Sequence, residues 1–256
     1  PVYTPPSDQS HNGAVMILPP MVLQFALLPF TLLPVIQIVH EREAKVKHQL
    51  CLMGLDVRVY WAVKLLYQSG VLLTLFLAPT LVSALVTGTV SGEGVAAFAL
   101  IAVCALPSIL LFAFLISFVF KTKEAASGFY LLAFTFTTIV PTIVVQSVTD
   151  LNIVKGMSYA MMLIPINQII KGLSVILYAD FLKKQQEAFA HSGLPPAFKP
   201  PDPPAYLCWT YKQQSTGPDG DVTTLEMPGP GFCLLAAFCT FILYSICLYY
   251  LDVRLY

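Results

Sequence analysis

The 256 residues are 57% hydrophobic and 11% charged, with a mean hydropathy of +0.74, whereas a soluble domain carries roughly 25% charged residues. Fourteen basic and fourteen acidic side chains cancel, so no global field recruits nucleic acid, and the expected solvent is a bilayer. The sequence opens at Pro1 without a charged n-region, an apolar h-region or a cleavage site, which reads as a piece of a longer polypeptide.

Charge-free runs cover Asn12–Val39, Leu65–Gly92, Gly94–Phe120, Ala125–Thr149, Gly156–Ile170 and Met227–Leu251. A helix needs about 20 apolar residues to cross the hydrocarbon core, and all but the fifth run are long enough. In lipid each must be helical, because every backbone N–H and C=O has to be bonded within the segment. Spans are therefore expected at about 14–39, 59–87, 95–120, 126–148 and 231–251. The first carries Pro19, Pro20, Pro29 and Pro34, the third Pro107 and the fourth Pro141, so kinks are expected.

The first connection is the most informative. Glu41 and Lys45, and Glu43 and Lys47, are spaced i,i+4 with the acid first, the orientation that supports a helix. Val39, Val46, Leu50 and Met53 align on one face. Gly54 is suited to end the helix in a left-handed conformation, with Leu55 following. Asp56 is then placed to cap the next helix, and Tyr60-Trp61 suits the headgroup layer. The expectation is one amphipathic surface helix over 40–55, serving either as a plain connector or as a docking element.

The fifth run is too short to cross. Pro165 and Lys171-Gly172 interrupt it, so 152–181 is expected to form two short helices that dip in and return, in preference to a single span tolerating Lys171. A charge at a helix centre costs about 2.5–3.5 kcal/mol on insertion scales. The charge pattern agrees. Arg42, Lys45, Lys47 and Arg58 lie in the first connection and Lys121 and Lys123 in the third, while the link around Glu93 has no basic residue. Short basic loops stay cytoplasmic, so the first helix runs inward and the last ends inside. The segment 182–230 would then be an extracellular loop. Asp180–Pro230 holds nine of the twenty prolines and is expected to be irregular and extended.

No catalytic signature is present. No Gly-x-x-x-x-Gly-Lys-Ser/Thr occurs to hold phosphates, and His40-Glu41 is followed by Ala44 where a zinc helix needs its second His. Neither an enzyme nor a metal site is expected in this chain. Of the six cysteines, Cys104, Cys233, Cys239 and Cys247 sit in apolar runs and only Cys208 in a polar loop, free or paired outside this piece.

The order of parts resembles the membrane domain of A-subfamily ABC transporters, the ABC-2-type lipid exporters, with a pattern nearest the plant and protist members. The first place of resemblance is Val39–Trp61, a Glu/Lys-rich run ending in Met53-Gly54-Leu55 with an aromatic pair opening the next span. The second is the short basic turn Phe118–Ser127. The third is Leu163–Leu173, similar to a Pro-containing outer hairpin with a basic-Gly-Leu ending. His48, Gln49 and Cys51 depart from the first pattern, and Ile166–Ile170 is less aromatic than the third. The resemblance implies an all-α ABC-2 type exporter transmembrane domain, with five spans, a re-entrant outer hairpin and a cytoplasmic coupling helix. It implies a nucleotide-binding domain holding ATP and magnesium outside this chain. It also implies a second transmembrane half, in the same polypeptide or in a dimer, and a lipid or sterol substrate. Glu41, Arg42, Glu43, Lys45, Lys47, Leu50, Met53, Gly54 and Leu55 would couple to the ATPase, and Pro165, Asn167, Lys171 and Gly172 would form the outer hairpin. The alternatives are an ABC-2 permease of another subfamily and a membrane scaffold that transports nothing.

Overall fold

The computed structural model describes residues 9–87, 90–136, 151–192, 202–216 and 222–255. The first helix, α1 (Gln9–Glu43), runs unbroken through all four of its prolines. It is followed by the short α2 (Val46–Leu52). Next come α3 (Val57–Leu72), a π-helical turn (Leu73–Leu77) and α4 (Ala78–Thr87), stacked end to end. Pro79 removes the N–H that would bond back to Leu75, and the wider π turn lies where that bond is lost. Thereafter come α5 (Gly92–Ser117), α6 (Lys123–Phe134), α7 (Leu151–Met161) and α8 (Pro165–Ser192). Strands β1 (Thr210–Thr216) and β2 (Val222–Pro228) and the last helix, α9 (Pro230–Leu255), complete the order.

The starts of three helices are set locally. Asp56 accepts the Arg58 N–H at 2.8 Å, Ser91 the Gly94 N–H at 3.2 Å, and Thr122 the Ala125 N–H at 3.3 Å. Each cap satisfies one backbone donor that the first turn leaves open.

Among the described residues, the stretches Val57–Val82, Gly92–Ser117 and Pro230–Asp252 are long and apolar enough to cross a membrane. The span expected at 14–39 falls within α1. Of the one expected at 126–148, only the part up to 136 lies among the described residues. Helix α5 is the core of the bundle, packing on α1, α3, α8 and α9. Ala97, Ala102, Ala105 and Ala113 are buried along it, and such small side chains let neighbouring backbones come close where lipid supplies no hydrophobic drive. Ser108, buried beside Pro107, donates to the Ala237 carbonyl of α9 at 2.8 Å.

Between α7 and α8 the chain turns by 119°. The break is Met162–Ile164, immediately before Pro165, which occupies the first position of α8, where its missing N–H costs nothing. Two buried amides close the break: Asn167 Nδ2 donates to the Met161 carbonyl at 3.3 Å and Gln168 Nε2 to that of Met162 at 2.7 Å. The turn lies deep in the bundle. Gln168 also reaches Thr240 at 3.2 Å, and Tyr244 donates to the Leu163 carbonyl at 2.5 Å. By the helical rise, these α9 residues lie about 15–20 Å from its first residue.

Four expectations need correction. The segment 40–55 is not one helix: Lys45 adopts a left-handed backbone with φ 54°, a conformation costing a non-glycine residue roughly 1–2 kcal/mol, and α2 leaves α1 at that point. With the helix interrupted, Glu41 does not pair with Lys45, nor Glu43 with Lys47; all but Lys45 reach other helices. Lys171-Gly172 does not interrupt the 152–181 region, because both lie inside the 28-residue α8. Gly172 serves close packing, since a Cβ there would stand 3.0 Å from Ile101 Cδ1. Finally, 182–230 is not simply a proline-rich loop. Helix α8 continues to Ser192, and β1 pairs antiparallel with β2 from Thr210↔Pro228 to Thr216↔Val222. Both strand interiors are free of proline, and Gly217-Pro218-Asp219-Gly220 between them is turn sequence.

Gly172 gives a packing test. Gly172→Val should lower stability by about 1–3 kcal/mol through overpacking against Ile101. Gly128→Ala in α6, where nothing lies within 4 Å of an added Cβ, should leave it unchanged or raise it by up to ~1 kcal/mol. Thermal unfolding of the detergent-solubilised protein reads both.

Candidate coupling site at the basic end of the bundle

Three of the four charged residues of Glu41–Lys47 that were expected to pair locally, together with Arg42, tie the α1–α2 corner to other parts of the bundle. Glu41 forms an ion pair with Lys64 of α3 and accepts the Tyr60 hydroxyl at 2.6 Å. Arg42 donates to the Ser117 carbonyl at the end of α5 at 2.8 Å and to that of Phe120 just beyond it. Its guanidinium also lies 5.6 Å from the Phe118 ring centroid. Glu43 accepts the Lys123 backbone N–H at the start of α6 at 3.1 Å, where a negative charge is favoured by the helix dipole. Lys47 reaches furthest, forming a buried ion pair with Asp252 near the end of α9.

Aromatic rings roof that pair. Lys47 Nζ lies 5.4 Å from the Trp61 ring centroid and 5.8 Å from that of Tyr60. Trp61 in turn packs on Phe114 and Phe118, with centroids 5.6 and 6.1 Å away. Instead of facing headgroups, Trp61 is wedged against α5. Arg58 adds a second link to α9, 5.4 Å from the Tyr249 ring centroid.

The outward side of this corner carries exposed Lys45, His48 and Gln49 and ends in an apolar tip. Leu52 and Met53 are each 75% exposed, whereas Leu50 is half-buried. Gly54 ends α2 with φ 93°, and the Leu55 N–H returns to the Leu50 carbonyl at 3.1 Å. Periodicity marked Met53 but not Leu52, whose exposure follows from the short α2 being redirected at Lys45.

The residues expected in the hairpin are dispersed along it. Pro165 and Asn167 sit at the deep turn. Gly172 lies against α5, and Lys171 lies 5.7 Å from the Tyr211 ring centroid of β1. Two groups at the opposite end of the bundle carry no expectation from sequence. Asp180 is buried and accepts the Ser91 N–H at 3.0 Å and the Tyr206 hydroxyl at 2.5 Å. Lys183 lies 4.3 Å from the Tyr206 ring centroid and pairs with Glu93 at 3.4 Å. Only the residue types and a helical face spanning 176–183 could have pointed to them. Cys208 is a free, half-buried thiol, and burial pushes its pKa up, which makes it a poor nucleophile.

A buried charge left alone is costly. Lys47→Met should destabilise the protein by about 3–5 kcal/mol by stranding Asp252, and the double substitution Lys47→Met with Asp252→Leu should recover much of that loss. A double-mutant cycle by thermal unfolding measures it.

Comparison with known proteins fixes the family. Residues 1–185 match the profile described as ABC-2 family transporter protein. No curated protein and no solved structure matched the chain. The match covers well over half of the sequence, and it agrees with a helical bundle holding several membrane-length apolar helices. Membership implies an ABC ATPase partner and a dimeric arrangement. This chain belongs to the ABC-2 family of transporter proteins, as a multi-pass integral membrane component.

Proposed function

We propose that the chain is the transmembrane domain of an ATP-driven exporter of the A-subfamily type that moves lipids or sterols. ATP and magnesium are held by a nucleotide-binding domain outside it, and a second transmembrane half completes the pathway. The basic end of the bundle faces the cytoplasm, by the rule that short basic connections stay inside. The corner running through Glu41, Arg42, Glu43, Lys45, Lys47, Leu50, Met53, Gly54 and Leu55 receives the ATPase.

One observation carries this reading. Glu41, Arg42, Glu43 and Lys47 link a single corner to α3, to the end of α5, to the start of α6 and to α9. A push on α2 reaches α9 directly through Lys47 and, across the bend at Lys45, the end of α1, whose Glu41, Arg42 and Glu43 touch α3, α5 and α6, while Leu52 and Met53 offer an apolar surface for the push.

In the intact transporter, Leu52→Asp with Met53→Asp should lower transport by ~10-fold or more, the loss expected from removing apolar anchors of an interface. Thermal stability should stay at the wild-type value. Wild-type transport and wild-type lipid-stimulated ATP hydrolysis together would sink the coupling role.

Orientation has its own test. In a cysteine-free background, Trp209→Cys should react with an impermeant maleimide on intact cells, and Leu52→Cys only after permeabilisation. The reverse pattern would invert the assignment of inside and outside.

A further inference from the structure

A groove of about 520 Å³ lies between α1 and α3, lined by Leu33, Ile36, Gln37, His40, Tyr67, Gln68, Val71 and Lys123. Its size falls within the range of ligand pockets. The two helices run antiparallel there, with Gln37 level with Gln68 and Glu41 level with Lys64, as their side-chain bonds require. The lining is therefore graded along the helix axis. His40 and Lys123 stand at the basic end. The Gln37 and Gln68 amides come one turn deeper. Leu33, Ile36 and Val71 follow, deeper still.

The amides matter because they are polar groups among apolar neighbours. Gln68 Nε2 donates to Gln37 Oε1 at 2.7 Å, and Gln37 Nε2 donates to Glu41 at 3.3 Å. Each NH2 carries two protons, so each has a second one for a ligand's carbonyl. At the mouth, Glu41 is neutralised by Lys64 and Glu43 is engaged by the Lys123 backbone. Among the described residues the Lys123 ammonium pairs only with Glu124, at 3.9 Å and well exposed, a contact worth little in solvent.

We propose that this groove seats an anionic phospholipid from the leaflet at the basic end. Charge, polarity and depth together match that occupant. The phosphate meets Lys123 and His40, the glycerol ester carbonyls meet the Gln37 and Gln68 amides at the level of Tyr67, and an acyl chain lies along Leu33, Ile36 and Val71. The inference does not rest on the export reading, since a lipid bound for transport and one bound for structure would sit alike.

The test uses the full chain in nanodiscs of equal phosphatidylglycerol and phosphatidylcholine, with retained lipid counted by native mass spectrometry. The wild type should retain phosphatidylglycerol in preference. Lys123→Gln should cut that preference about fivefold, the effect of one basic group near an anionic headgroup, and Lys123→Arg should keep it. Leu33→Trp should fill the groove and lower retention. A photo-reactive residue in place of Tyr67 should crosslink to lipid. Equal retention of the two lipids by the wild type, an unchanged preference in Lys123→Gln, or a crosslink to polypeptide would each overturn the proposal. If Leu33→Trp fails to fold, the Lys123 pair and the crosslink still decide.

Discussion

The buried ion pair between Lys47 and Asp252 joins the first turn after α1 to the closing residues of α9, and much of the basic end is arranged to make that pair tolerable. Two charges removed from water are costly unless their geometry and surroundings compensate. Here the compensation includes the Trp61 and Tyr60 rings over the ammonium, and Trp61 is held by Phe114 and Phe118 of α5. Lys47 can reach Asp252 only because the chain turns at Lys45 into a left-handed conformation. A strained residue persists where the surrounding structure over-determines it, and the contacts on either side of Lys45 supply that constraint.

A second set of polar contacts closes the opposite end. Asp180 of α8 binds the Ser91 cap of α5 and the Tyr206 hydroxyl, so α8 is fastened to α5 at its outer part, while Gln168 fastens it to α9 at depth. Between these points Gly172 lets α8 lie close to Ile101. The returning hairpin is therefore a packed member of the bundle. It is stapled at both levels, with the β1–β2 ribbon resting over it through Tyr211, Met227, Val154 and Val175. The two ends communicate through α5, which touches both sets of contacts and packs against α1, α3, α8 and α9.

The proposed functions divide along the same axis. The corner with Leu52 and Met53 faces out from the basic end, and the graded groove opens beside it between α1 and α3. The two share α1 as a common wall, with Glu41 belonging to the corner and Gln37, bonded to it, to the groove. A displacement of the corner would therefore be felt by the groove's amides first.

Composition and charge-free run length determined that the chain is a helical membrane protein. Burial in lipid permits little else for an apolar run of that length, and the caps at Asp56, Ser91 and Thr122 and the stop at Gly54 were written in residues whose local chemistry acts alone. The motif Val39–Trp61 likewise pointed to the family. Only tertiary structure decided the partners of the charges. Spacing offered Glu41 and Glu43 neighbours four residues away, but a pair on an exposed helix face is worth only a few tenths of a kcal/mol. Contacts that satisfy buried helix ends and buried charges are worth more, so the long-range partners prevail and the helix over 40–55 breaks. The same holds for Gly172, which resembled a helix breaker until Ile101 came to lie against it. It holds also for the strands, whose two segments pair with each other and rest on α7 and α8, a fact that no local pattern contains.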